Sequence, residues 1–241
     1  ENVAQQVAEQ MSDYLLTGAV TNALNMPSVT AKEAKIMGPW VMLATHLGGF
    51  IGQMTDEPIT AINILYDGTV SEMNLEALNC AAVAGIMKKA NPDVNMVSAP
   101  VIAKDRGIKI STTSQGKTGT FDGYIKVTVV TAQRERSVAG TVFSDGKPRF
   151  IQIKGINIDA EIGAHMLYTT NKDVPGIIGT LGQMMGENGV NIANFTLGRA
   201  KAGGEAIALL YVDDAVPNTV LAKLEATGLF KQVKPLKFDL V

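Results

Sequence analysis

Residues 167–199 read LYTTNKDVPGIIGTLGQMMGENGVNIANFTLGR, and this stretch decides the fold. His165 to Thr170 is short, apolar and partly aromatic, which suits a strand. Asn171, Lys172 and Asp173 break it. Pro175 suits the first position of a helix, where its missing N–H would have no partner anyway. Ile177, Ile178, Leu181, Met184 and Met185 then recur at three- and four-residue steps, giving one apolar helix face. Glu187-Asn188-Gly189 ends that helix, with Gly189 supplying a left-handed cap. Val190 to Phe195 starts a second strand, and EAIALLYV at 205–212 reads as a third. Residues 217–227 place Val220, Leu221 and Leu224 on one helix face. FKQVKPLKFDL at 230–240 supplies a fourth strand, in which Pro235 implies an edge or a bulge. The order is βαββαβ, a ferredoxin-like arrangement.

The polar residues of this segment gather at its junctions, a placement that suits a small-molecule sensor. A zwitterion needs an acceptor for its ammonium and donors for its carboxylate. Asp173 can accept from the ammonium in a charge-assisted bond, Asn191 carries both donor and acceptor atoms, and the helix start near Gly176 favours an anionic group. Asp and Asn also commonly do no more than cap loops and turns, so that reading of Asp173 and Asn191 stands beside the first. N-x-D-x-P-G at Asn171–Gly176 and G-V-N-I at Gly189–Ile192 resemble the marks of an ACT domain, an amino-acid-sensing module. The resemblance implies an effector between two paired domains, with the loop from one subunit and the start of the second strand from the other. It implies effector contacts at Asn171, Asp173, Pro175, Gly176 and Asn191, and L-serine as the first effector to test. Members that sense serine often carry His or Tyr where this chain has Asn171.

Composition narrows the classes. Of 241 residues, 46% are hydrophobic, enough for substantial cores, and the formal net charge is −2. No basic footprint argues for nucleic acid, and no apolar run approaches the ~18 residues of a membrane span. The start lacks a secretory-leader pattern. The single Cys80 excludes an internal disulfide framework and suits a reducing cytoplasm. In its alanine-rich helical setting it reads as a small buried residue.

The opening, ENVAQQVAEQMSDYLLT, already reads as a helix with Val3, Val7, Met11 and Leu15 in an apolar stripe. Gly18 ends it, and the following residues read as a linker in which Pro27 disfavours helix at Met26. Residues 1–28 resemble the exit from the catalytic half of the D-3-phosphoglycerate dehydrogenase family. That resemblance implies a parent enzyme using NAD, with its nucleotide-binding and catalytic groups elsewhere. Here no G-x-G-x-x-G follows a strand. Gly48-Gly49-Phe50-Ile51-Gly52 reads as close helix packing, and His46 as a helix-packing histidine rather than a base. His165 stands at a strand start. No catalytic constellation, metal-ligand spacing or cofactor motif is expected in this chain.

Residues 29–162 read as a separate α+β domain, with helices on a largely antiparallel sheet. Thr30 caps a helix that Gly38-Pro39 breaks or kinks. A strand follows over 58–66, a helix over 74–90 and a short helix over 98–106. Further strands are expected over 107–113, 124–131 and 136–143, then a turn at 144–147 and a return over 149–157. VNMVSAPVIAKDRGIKI at 94–110 resembles the intervening domain of long phosphoglycerate dehydrogenases. Some members bind an anionic metabolite there, for which the cationic candidates are Lys104, Arg106, Lys117, Arg134 and Arg136. Backbone N–H groups of Ser114–Gly119 would assist.

The expected architecture is therefore a terminal helix and linker (1–28), an intervening domain (29–162) and an ACT domain (163–241). The expected function is regulatory: an amino-acid effector at a domain–domain interface, in a homo-oligomer, with no nucleic-acid or membrane partner. Two alternatives remain in view, a free-standing amino-acid-binding protein and a β-type subunit of a serine dehydratase.

Overall fold

A computed structural model describes residues 2–17, 31–117 and 119–240. The linker after Thr17, with Gly18, Pro27 and the Thr30 cap, lies outside the described residues. The chain divides into two compact units, Glu1–Pro148 and Arg149–Val241. The hairpin over 148–161 goes largely with the second unit.

The first unit holds α1 (Asn2–Thr17), α2 (Ala31–Gln53), β1 (Ile59–Gly68), α3 (Leu75–Met87), α4 (Ser98–Asp105), β2 (Lys109–Gln115), β3 (Gly123–Thr131) and β4 (Glu135–Val142). Its strands lie in the order β2-β1-β3-β4. All neighbours are antiparallel except β1 and β2. A parallel pair needs a crossover, which α3 and α4 supply. α2 runs unbroken through Pro39. Asn74 caps α3 by accepting from the Ala77 N–H at 3.2 Å. The helix-packing reading of the glycine run holds. A Cβ on Gly48 would meet the carbonyl oxygen of Ala82, and one on Gly85 that of Thr45, so α2 and α3 lie in near backbone contact. Leu43, Leu47, Ile51, Leu78 and Ile86 fill the adjoining core, and His46 is buried with them. Lys89 then ties the two helix ends, its Nζ donating to the carbonyls of Gln53 and Thr55 and to Asp56. The apolar stripe of α1 is exposed, Leu15 at 77%.

The second unit begins with β5 (Pro148–Ile153) and β6 (Ile156–Glu161). These are two strands where the sequence suggested one return. Lys154 and Gly155 take positive φ of 51° and 77°, and so close a tight hairpin between them. The rest is β7 (His165–Lys172), α5 (Ile177–Glu187), β8 (Ile192–Arg199), β9 (Glu205–Val212), α6 (Asn218–Ala226) and β10 (Phe230–Lys237). Their sheet order is β10-β7-β9-β8, the expected ferredoxin-like topology. β10 is an edge strand, in keeping with Pro235, and its register shifts between Phe230 and Gln232.

Both faces of this sheet are buried at its centre. On one, Leu167, Ala208 and Leu210 pack with Ile177, Leu181 and Met185 of α5 and Val220 and Leu224 of α6. On the other, Met166, Tyr168, Ile207 and Leu209 are buried too. The β5–β6 hairpin reaches elements of this sheet. The Thr196 hydroxyl donates to the Asp159 carbonyl at 3.0 Å, and the Phe150 and Phe238 rings meet at 5.9 Å.

These contacts assign opposite signs to one substitution. Gly85→Ala forces a Cβ into backbone and should destabilise the chain by about 1–3 kcal/mol. Gly182→Ala meets nothing within 4 Å, and should stabilise α5 by roughly 0.5–1 kcal/mol. Denaturant unfolding of the two variants checks both.

Candidate functional site

The cleft of interest follows from topology. β7 and β8 each pair antiparallel with β9, so they run parallel to one another. Their C-terminal ends lie at one edge of the sheet, where Lys172 faces Glu205 and Arg199 faces Ala206. The loop after β7 and the end of β8 together bound a cleft of about 460 Å³. Asn171, Asp173, Pro175 and Gly176 line it. Leu197 and Arg199 of β8 line it as well, and Arg199 was not foreseen.

Asp173 shapes the cleft. Its backbone N–H donates to the Gly204 carbonyl at 2.9 Å. Its Oδ2 accepts from the Gly203 N–H at 3.1 Å and from Arg199 at 2.9 Å. The loop after β7 is thus latched to the β8–β9 turn. The capping reading of Asp173 is met by these bonds, yet among the described residues its Oδ1 accepts none. The Arg199 hydrogen bond, aided by the Gly203 N–H, holds the Asp173 carboxyl below its ordinary range.

Gly176 stands at the N-cap of α5 with φ 96°, and no side chain caps the helix. Pro175 therefore precedes the helix rather than opening it. The first intrahelical bond is Thr180 N–H to Gly176 at 2.9 Å. The N–H groups of the first turn, from Ile177 on, have no helical carbonyl to meet. Only a residue without a Cβ adopts the Gly176 conformation at no steric cost.

Asn171 is 1% exposed. Its Nδ2 donates to the Lys172 carbonyl at 2.7 Å, but its Oδ1 is buried without a partner. A buried unsatisfied acceptor costs about 1–3 kcal/mol. The cleft is thus lined by a residue with one unanswered buried acceptor, by a carboxylate with one oxygen left over and by the uncapped start of α5.

Asn191 lies elsewhere. It precedes β8, whose two ends are about 24 Å apart at strand rise. There its Nδ2 donates to Asp213 at 2.6 Å. One chain does not bring Asn191 to Asp173. β8 is, however, an edge strand.

The five cations named for an anion site in the first unit do not all share one place, although Arg106 and Arg134 both neighbour Glu57 at one cleft. Lys117 binds Asp122 at 2.7 Å, near the Gly68 end of β1. Arg134 binds Glu57 at 2.6 Å, near the opposite end. Arg106 lines a cleft of about 480 Å³ together with Glu57 and Lys89. Arg136 is half-buried with Nε lacking a partner, and Lys104 is exposed on α4. Cys80 is half-buried rather than enclosed. Burial and the nearby Glu76 raise its pKa and keep it a thiol. Among the described residues no group of three or more His, Cys, Asp or Glu could hold a metal ion. No described helix is long and apolar enough to cross a membrane. The turn after β1 begins Gly68-Thr69-Val70, lacks a glycine-rich phosphate loop and does not fit a dinucleotide.

Fold and site together define a two-unit module, an α+β unit followed by a ferredoxin-like unit with a cleft at the end of its sheet. Residues 36–154 match the D-3-phosphoglycerate dehydrogenase intervening domain family, and residues 165–228 match the ACT domain family. The two matches cover 119 and 64 of the 241 residues. It is 31% identical to D-3-phosphoglycerate dehydrogenase of Bacillus subtilis over 92% of its own length and 43% of that protein's. The figures are 32%, 92% and 41% for the enzyme of Synechocystis, and 29%, 94% and 43% for that of Methanocaldococcus jannaschii. The chain thus spans well under half the length of these relatives.

A depressed carboxyl pKa contributes stability that is present above its unfolded value and lost as pH falls through the folded one. The gap in stability between the intact chain and Asp173→Asn should be open near neutral pH. It should close as the pH drops below the ordinary carboxylate range. Paired denaturant midpoints against pH measure it, and a gap that stays open in acid contradicts the latch.

Proposed function

We propose that this chain is the regulatory region of an NAD-dependent D-3-phosphoglycerate dehydrogenase of L-serine biosynthesis, acting in the cytoplasm. On this reading catalysis and NAD belong to the parent enzyme outside these residues. The chain senses an α-amino acid, L-serine first, and holds subunits together through its ACT units. The observation that carries the reading is the partnerless, buried Oδ1 of Asn171 in a cleft beside an uncapped helix N-terminus.

The chemistry matches a zwitterion bearing a hydroxyl. Asp173 Oδ1 takes the ammonium, Asn171 Oδ1 the hydroxyl, and the first amides of α5 help to hold the carboxylate. A second copy, paired antiparallel along β8, completes each cleft with its Asn191. Two equivalent clefts then sit across one seam, as two-fold symmetry requires. Effector binding would favour one subunit arrangement to the extent that it binds that arrangement more tightly.

Calorimetric titration of the chain with L-serine and L-alanine tests this. Saturable binding at millimolar concentration or tighter is expected. Asn171→Ala should weaken L-serine by about two- to tenfold, since a neutral hydrogen bond contributes roughly 0.5–1.5 kcal/mol. The loss for L-alanine, which has no hydroxyl, should be smaller. No saturable binding of either amino acid overturns the reading.

A further inference from the structure

We propose that Arg199 reads the ligand's carboxylate, so that the cleft accepts zwitterionic α-amino acids and rejects their amides and decarboxylated amines. This rests on the amino-acid reading above and assigns its specificity to a residue outside the loop motif.

Arg199 lines the same cleft as Asn171 and Asp173, at the C-terminal end of β8. Its side chain is 57% exposed. One guanidinium nitrogen donates to Asp173 Oδ2 at 2.9 Å. A guanidinium carries five N–H donors in a planar fork, so the Asp173 bond leaves donors over. Asp173 is likewise half-used, with Oδ2 engaged and Oδ1 accepting nothing among the described residues. The pair is neutral as a unit and presents an unused positive edge beside an unused negative one.

A zwitterion is the complement of such a pair. Its carboxylate meets Arg199, its ammonium meets Asp173 Oδ1, and the Asp173–Arg199 bond need not break. Four charges then alternate around a ring, each next to its opposite. An amino amide or a simple amine keeps the cation and loses the anion. It leaves the Arg199 donors unanswered and brings a net positive charge beside a guanidinium. Asn171, an independent feature of the same cleft, adds a buried Oδ1 that no protein donor answers. The apolar walls, Val174, Pro175, Ile178 and Leu197, offer no other cation to a carboxylate. The remaining help for the anion is the uncapped start of α5, whose partial charge is spread over several amides.

Lysine does not replace this geometry. Its ammonium is a point charge on a flexible stem and cannot hold Asp173 and a carboxylate in one plane. Arg199→Lys therefore keeps the net charge and keeps a partner for Asp173 while removing the fork.

The test compares L-serine, L-serinamide and ethanolamine on the 241-residue chain and its Arg199→Gln and Arg199→Lys variants, each checked for folding by thermal melting. The unaltered chain should bind L-serine at least about tenfold more tightly than L-serinamide or ethanolamine. Arg199→Gln should lose about tenfold or more for L-serine while its affinity for L-serinamide changes by no more than about twofold. The preference for the zwitterion would then vanish. Arg199→Lys should fall between the two, and carries the test if the glutamine variant does not fold. A folded variant that keeps both the original affinity for L-serine and the original preference overturns the role of Arg199 alone. Failure of the unaltered chain to bind any of the three overturns the amino-acid reading, and this proposal with it.

Discussion

The latch made by Asp173 is the constraint on which the site depends. One residue joins the loop after β7 to the β8–β9 turn through its backbone N–H and one carboxylate oxygen. Two segments about thirty residues apart in sequence become the two lips of one cleft. The latch also holds Arg199 by its guanidinium, so that a long exposed side chain is ordered before any ligand arrives. The loop so fixed delivers Gly176 in its left-handed conformation to the start of α5, whose first residues line the same cleft. Asn171, the last buried residue of β7, closes the inner end with an acceptor that nothing answers.

Sheet topology then decides what one chain can and cannot do. With β9 between them, β7 and β8 run the same way, which puts Arg199 near Asp173 and sends Asn191 to the far end. A cleft built from one chain is therefore half of the arrangement that the ACT-domain resemblance implies. The unpaired edge of β8 is where the other half would join. The face of the sheet away from α5 and α6 is buried, with the β5–β6 hairpin in contact with it. Growth of the sheet is thus left to its edges.

Much of this was legible in the sequence where local chemistry decides it. The βαββαβ order followed from two periodicities and the punctuation at Asn171–Gly176 and Gly189, all of them short-range signals. The glycines of α2 announced close packing because nothing else explains several in an apolar helix. Arg199 was not legible. It lies 26 residues from Asp173, and only the parallel run of β7 and β8 brings them together. A ferredoxin-like strand order, once assumed, would have pointed to the last residue of the second strand. The split of 148–161 into two strands was missed because Lys154 takes a left-handed conformation that only its glycine neighbour advertises. The scatter of the five cations was hidden for the same reason as Arg199, since charge type is local and convergence is not. Lys117 and Arg134 each stand beside an acid at opposite ends of one strand pair.

The central claim is that an α-amino acid enters the cleft bounded by Asn171, Asp173, Arg199 and the start of α5. The most direct measurement is heteronuclear NMR of the chain during titration with L-serine. The side-chain amide of Asn171 and the backbone amides of Gly176, Ile177 and Ile178 should shift together and saturate with one dissociation constant. Resonances around Asp56 and Glu57 in the first unit should stay in place. If the cleft resonances do not move at millimolar L-serine, or move only in step with the rest of the chain, the account is contradicted.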